Sequence, residues 1–293
     1  STTVMTGVPK IYVKGQGGLL DIVVSKNKKD YEKTIYFCYS NKKPKGIGTA
    51  IDKGILRGSK IFNIEPLFRS NHLSNSVKHF GCRLLLRNNV LFATLGDRGK
   101  RSAAQDKKNH SGSVIKITLN QDKDVELNEI ITVFSIGHRN PQGLAINHDT
   151  NEIWSHEHGP RGGDELNIIE ENQNYGWPII TSGKEYFGGK IGITDSSPYY
   201  KSPIWTWTPS IAPSGMAFYH KYMFNEFQGH LLIGSLKFKS LYLLKLNNNL
   251  PMSEKIIFQN KIGRIRDVAV NEDGSILLLT DEREGGLYRL FRK

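Results

Sequence analysis

The chain of 293 residues holds only two cysteines, Cys38 and Cys82, and no CxxC pair. That spacing argues against a thiolate metal centre. The two thiols read as small buried apolar residues in strands, with a single disulfide in an oxidising compartment as the alternative. No run of about 18 apolar residues occurs, so no membrane span is expected. The opening stretch, STTVMTGVPKIYVKG, lacks a basic region followed by an apolar one, so no signal peptide is expected in it; a processed chain would read the same way. Amphipathic helix is almost missing. The glycine cluster GQGGLL at 15–20 lacks the GxGxxG spacing and the following helix of a dinucleotide site.

What is present is short apolar runs, alternating or continuous, bounded by Gly, Asn, Asp and Pro. Runs such as Thr34–Tyr39, Val90–Leu95, Ser113–Leu119, Glu129–Ser135, His230–Ser235 and Ser275–Thr280 read as strands. A strand followed by a polar turn and a second strand recurs near Cys82, Gly143 and Arg266. This pattern predicts an all-β chain, a β-propeller built as one domain over residues 1–293. A β-sandwich fits so much strand poorly. Net charge is +12, with lysines beside asparagine at 26–29, 41–43 and 107–109. These read as solvated loops; attraction to an anionic partner is the sharper alternative. The basic residues are neither interleaved with exposed aromatics nor aligned on one helix, so nucleic acid is not expected as a partner.

One stretch, residues 137–177, differs from ordinary loop sequence. It contains GHRNPQGLA at 137–145, HEHGPRGGDELN at 156–167 and NYGW at 174–177. Glycines and prolines beside so many polar side chains point to backbone shaped around a ligand. His156 and His158 share a face on a strand and invite a zinc reading, but a third ligand is not evident. Arg264 and Arg266 lie two apart in a strand and so point to one face.

These motifs, together with GVPKIYVKGQGGLLD at 7–21, HFGCRL at 79–84, TLGDRG at 94–99, PSIAPSGMAFY at 209–219, GSLK at 234–237 and RIRDV at 264–268, resemble the glucose/sorbosone dehydrogenase family. More closely, the chain resembles its aldose sugar dehydrogenase branch, soluble quinoproteins that use pyrroloquinoline quinone (PQQ). The resemblance implies a six-bladed β-propeller that oxidises aldoses at C1 to lactones, with an external electron acceptor and a periplasmic home. It implies His79 as the general base, Gln16 as a substrate contact, and Arg139, Lys237, Arg264 and Arg266 as cations for the quinone carboxylates. It further implies Asn140 and His158 as polar neighbours of PQQ, and calcium held by Gly159 and Pro160 carbonyls with Asp164 nearby. The chemistry is consistent: guanidinium forks suit carboxylates, and hard calcium suits oxygen donors. Trp205, Trp207 and Tyr175 are either walls for a flat ligand or core.

Three departures stand out. Lys78 replaces an acidic residue or histidine beside the base, and a cation there lowers basicity. Cys82 replaces Ser or Gly. Only six residues precede Gly7, where relatives carry several dozen that supply the first propeller strands. Two other readings are a non-catalytic propeller that binds an anionic ligand or partner, and a calcium-dependent propeller hydrolase or lactonase.

Overall fold

The computed structural model describes residues 3–25, 32–119, 131–194 and 196–292. They form twenty strands and two short 3-10 turns, with no α-helix among the described residues. By contact they divide into two compact units, Ser1–Pro141 with Glu171–Pro178, and Gln142–Glu170 with Ile179–Lys293.

The first unit carries two sheets. One is the meander β1 (Leu19–Val24), β2 (Lys33–Lys43), β3 (Gly46–Arg57) and β4 (Lys60–Arg69). The other runs β5 (Gly81–Arg87), β6 (Val90–Leu95), β7 (Ser113–Thr118) and β8 (Ile131–Ile136), and β8 also pairs in parallel with β12 (Gln173–Asn174). Cys38, Ile51, Leu91, Ile115 and Ile117 are wholly buried in its core. The second unit carries three sheets. They are β9 (Pro141–Asn147), β10 (Glu152–Glu157), β11 (Asp164–Ile169) and β13 (Trp205–Trp207); β14 (Pro213–Tyr219), β15 (His230–Ser235), β16 (Ser240–Asn247) and β17 (Leu250–Gln259); and β18 (Ile265–Val270), β19 (Ile276–Thr280) and β20 (Leu287–Leu290). Neighbouring strands within these meanders are antiparallel, which is the build of propeller blades. The fold is that of an all-β propeller, and five sheets are described. The three repeats seen in the sequence open three of them, at β5, β9 and β18.

The expected run Glu129–Ser135 lies partly outside the described residues, and the lysines at 26–29 lie wholly outside them. The lysines at 41–43 are not loop: β2 runs to Lys43, and a tight turn returns at Gly46. β3 was illegible because Gly48, Asp52 and Gly54 interrupt it. Asp52 is nevertheless buried in that strand, accepting the Tyr39 hydroxyl at 2.8 Å and pairing with Arg69 at 2.5 Å.

Cys38 and Cys82 are bonded to each other, so the reading of two separate buried thiols is corrected. Two strands that are far apart in sequence bring them together, which spacing alone cannot reveal. A cross-link over 44 residues stabilises by about 4 kcal/mol in the loop-entropy view.

In the second unit Leu231 and Leu244 pair across β15 and β16 with no exposure, and Trp154 meets Phe218 edge-on at 5.3 Å. Leu231→Ala should lower the unfolding free energy by about 3 kcal/mol, read by urea denaturation.

Candidate active site

His79 ends the segment 76–79 that leads into β5. Its backbone is left-handed, φ 54°. Several partners hold it there. The Gln16 side-chain oxygen accepts the His79 N–H at 2.7 Å, and the Gln16 N–H donates to the Val77 carbonyl. The His79 carbonyl accepts the Arg98 N–H at 3.3 Å. Gly96 is required here, because a Cβ would stand 2.2 Å from that carbonyl oxygen. The Arg98 guanidinium lies 3.3 Å from the Phe80 ring centroid and donates to the carbonyls of Lys78 and Ser76. Burial lowers its pKa to about 10.

The imidazole meets a partner that sequence reasoning did not single out. His79 Nδ1 lies 2.7 Å from Asp97 Oδ1, and Asp97 is almost wholly buried. Asp97 also accepts the Gly99 N–H at 2.7 Å and the Trp177 indole N–H at 2.8 Å. Burial alone would push its carboxyl up, but the hydrogen bonds from His79, Gly99 and Trp177 outweigh it, so its pKa is lowered. Asp97 is thus an anion, and the proton between the two groups sits on Nδ1. His79 itself is held below its usual value. Burial is the main cause; the nearby charges of Arg139 and then exposed Lys78 add to it, while Asp97 opposes. The imidazole is therefore neutral near pH 7, with Nε2 as the basic nitrogen. The signal for Asp97 was present in TLGDRG, but no pattern there marks which distant ring it serves.

Arg139 and Asn140 stand beside this dyad. The Arg139 carbonyl accepts the Asp97 N–H at 2.8 Å, and its guanidinium lies 5.4 Å from the Trp177 ring. Both side chains are buried, and Asn140 Oδ1 accepts the Gly81 N–H at 3.3 Å. The first unit thus brings together Gln16, His79, Arg139 and Asn140.

In the second unit the turn 159–163 is closed by Asp164. Its Oδ1 accepts the Gly159 N–H and its Oδ2 the Ala212 N–H, both at 2.9 Å. The Gly162 and Gly163 carbonyls crowd Gly159, leaving no room for a Cβ. Among the described residues no group of three or more His, Cys, Asp or Glu is placed to hold a metal, so none of them adds a third ligand to His156 and His158. A calcium ion in this turn would therefore rest largely on backbone carbonyls, which are hard oxygen donors. His156 packs its ring on Gly143, and His158 Nε2 lies 2.6 Å from the Pro213 carbonyl. Glu165 faces Glu157 across β10 and β11; burial and then the Glu157 charge push its pKa up to about 8.

The two arginines do share a face. Arg266 and Arg264 both reach Asp281 Oδ2, at 2.5 and 3.2 Å. Arg264 also approaches the carbonyl of Leu236, the neighbour of exposed Lys237, at 3.5 Å. Asp281 lies on both guanidiniums and Glu282 accepts the Arg264 backbone N–H at 2.8 Å, so the donors here are of the kind that take carboxylates. Trp207 and Tyr175 are core, while Trp205 is half-buried against it.

The sequence profile of the glucose/sorbosone dehydrogenase family matches residues 1–289. The chain belongs to that family. It is 36% identical over 299 residues to aldose sugar dehydrogenase YliI of Escherichia coli K12, covering 98% of this chain and 80% of that protein. A crystal structure of a glucose dehydrogenase superposes with a TM-score of 0.90 at 35% identity, covering 100% of this chain and 88% of the other. The PQQ-bound aldose sugar dehydrogenase of Streptomyces coelicolor shares the fold, with a TM-score of 0.74 at 24% identity over 97% of this chain and 82% of that one.

The state of the dyad is open to measurement. In a magnetic-resonance titration of the imidazoles, His79 should titrate below 6.5. In Asp97→Asn it should fall further, because the carboxylate that favours the protonated ring is gone.

Proposed function

We propose that the chain is a PQQ- and calcium-dependent dehydrogenase that oxidises aldose sugars at C1 to lactones, with electrons leaving to an external acceptor. The observation that carries this reading is the His79–Asp97 pair in a member of this family. Neutral His79 takes the proton of the anomeric hydroxyl at Nε2, while Asp97 fixes the Nδ1–H and stabilises the imidazolium that forms. PQQ, when bound, supplies the acceptor for the hydride that leaves C1. Proton and hydride together are the two hydrogens lost when the hemiacetal becomes a lactone.

The remaining roles are those the family resemblance implies, and charge and donor type agree with them. The carboxylates of PQQ call for fixed cations, and Arg139, Lys237, Arg264 and Arg266 are the cations proposed for them. Asn140 and His158 are the polar neighbours. Gly159 and Pro160 offer carbonyls to calcium, and Asp164 both braces that turn and adds its charge. Gln16, exposed beside His79, is the substrate contact. Support for the cofactor comes from the Streptomyces coelicolor relative, which was solved with PQQ. No helix among the described residues is long and apolar enough to cross a membrane. The Cys38–Cys82 bond favours an oxidising compartment such as the periplasm.

Purified protein supplied with PQQ and calcium should reduce a dye when given an aldose, and omission of either should abolish reduction. A protein that takes up no PQQ and reduces no dye overturns the reading; uptake without reduction would make it a binding propeller. His79→Gln should lower kcat by roughly 10²- to 10⁴-fold with PQQ binding retained. The acid limb of kcat/KM should have its midpoint below 6.5, since His79 acts in its neutral form. Arg264→Gln and Arg266→Gln should each weaken PQQ binding by about 10-fold or more, followed by equilibrium titration.

A further inference from the structure

The segment that carries His79 is bent in an unusual way. His79, Gly81 and Cys82 all have left-handed backbones, with φ of 54°, 67° and 70°. Glycine takes that conformation freely; histidine and cysteine do not. The pairing of β5 with β6 breaks at this point, since Gly81 opposes Leu95 and the register resumes only at Leu84 opposite Ala93. Cys82 therefore sits in a β-bulge whose left-handed position ordinarily takes glycine, and bulges of this kind re-aim side chains beside active sites.

The other half of the disulfide lies on firm ground. Cys38 is in the middle of β2, paired with Asp21 of β1 on one side and Ile51 of β3 on the other. Cys38 and Cys82 are buried to 0% and 1% exposure. A second link runs parallel to the bond: Asp21 Oδ2 accepts the Leu84 N–H at 2.7 Å, just beyond the bulge. The bulge is thus moored to a strand held on both edges. Phe80 and Gly81, between His79 and Cys82, are gripped as well. The Phe80 carbonyl accepts the Gly96 N–H at 3.2 Å, and the Gly81 N–H donates to Asn140.

We propose that the Cys38–Cys82 disulfide is a positioning element for the base: it holds Cys82 in the left-handed bulge and so aims His79 at Asp97. The bond acts through the backbone and touches no reacting atom. This inference rests on the reading of His79 as the general base, but its first readout needs neither cofactor nor sugar.

The test compares Cys38→Ala, which breaks the bond and leaves Cys82 in the bulge, with Cys38→Ala/Cys82→Gly, which also gives the bulge its natural occupant. Tyr39→Phe is the control. It removes a buried hydrogen bond to Asp52 from the opposite face of the same strand. The first readout is the imidazole titration of His79 in the cofactor-free proteins. In Cys38→Ala the midpoint should leave the wild-type value, falling where the ring loses Asp97 but stays buried and rising towards 6.5 where it swings out into water, whereas the double variant and Tyr39→Phe should keep the wild-type midpoint. The second readout is dye reduction with PQQ and calcium. Cys38→Ala should lose on the order of 10- to 100-fold in kcat with KM little changed, and the glycine of the double variant should recover most of that loss.

A wild-type titration in Cys38→Ala overturns the proposal. So does a double variant no better than the single one, since the bond would then serve general stability only. If Cys38→Ala does not fold, dithiothreitol is added to the native protein. It takes the bond to two thiols and is itself oxidised to its cyclic disulfide. The same departure of the His79 midpoint from its native value is expected, and an unchanged midpoint after complete reduction overturns the proposal. If wild-type protein reduces no dye while the titrations behave as stated, the dehydrogenase reading fails and the positioning role stands.

Discussion

A buried carboxylate has to be satisfied from all sides, and Asp97 imposes that requirement on the first unit. It is almost entirely removed from water. Left unpaired, such a charge would cost several kcal/mol. Its partners come from three separate stretches of chain: the imidazole of His79, the N–H of Gly99 and the indole of Trp177. Each of those stretches is fixed in turn by the need to serve the acid. The Arg139 carbonyl takes the Asp97 N–H, Gln16 takes the His79 N–H, and the Arg98 guanidinium clamps the carbonyls before His79. One desolvated charge thereby orders an imidazole, a guanidinium and an indole.

The second unit repeats the device twice with different ends. Asp281 holds two guanidiniums that would otherwise repel each other, and Asp164 closes a glycine-rich turn by accepting two backbone N–H groups. In all three cases the aspartate is a frame. What it frames is chemically distinct: a neutral imidazole, a pair of guanidiniums, and a turn whose Gly162 and Gly163 carbonyls press on Gly159. On the function proposed above, these are the parts the protein contributes, since the redox change itself belongs to the cofactor.

Turn chemistry and alternation were readable because they are local. Arg87-Asn88-Asn89-Val90 and Glu272-Asp273-Gly274-Ser275 announce hairpins, and Asn88 indeed adopts a left-handed φ of 52°. β3 was not readable, because a buried acid and two glycines look like a loop until Arg69 and Tyr39 are seen to neutralise Asp52. His79, Arg139, Arg264 and Arg266 were visible through their motifs. Asp97 and Trp177 lay in motifs too, yet their hydrogen bond spans 80 positions and leaves no mark in local order.

The sequence by itself determined the all-β character, the family and the kinds of side chain available for chemistry, because these depend on periodicity, turn residues and short ordered motifs. The tertiary structure alone decided which groups meet. It placed a carboxylate behind His79 and so fixed which ring nitrogen is basic. It also turned two apparently separate cysteines into a cross-link beside that base. Protonation states and pairings are properties of burial and proximity, and neither exists until the chain has closed on itself.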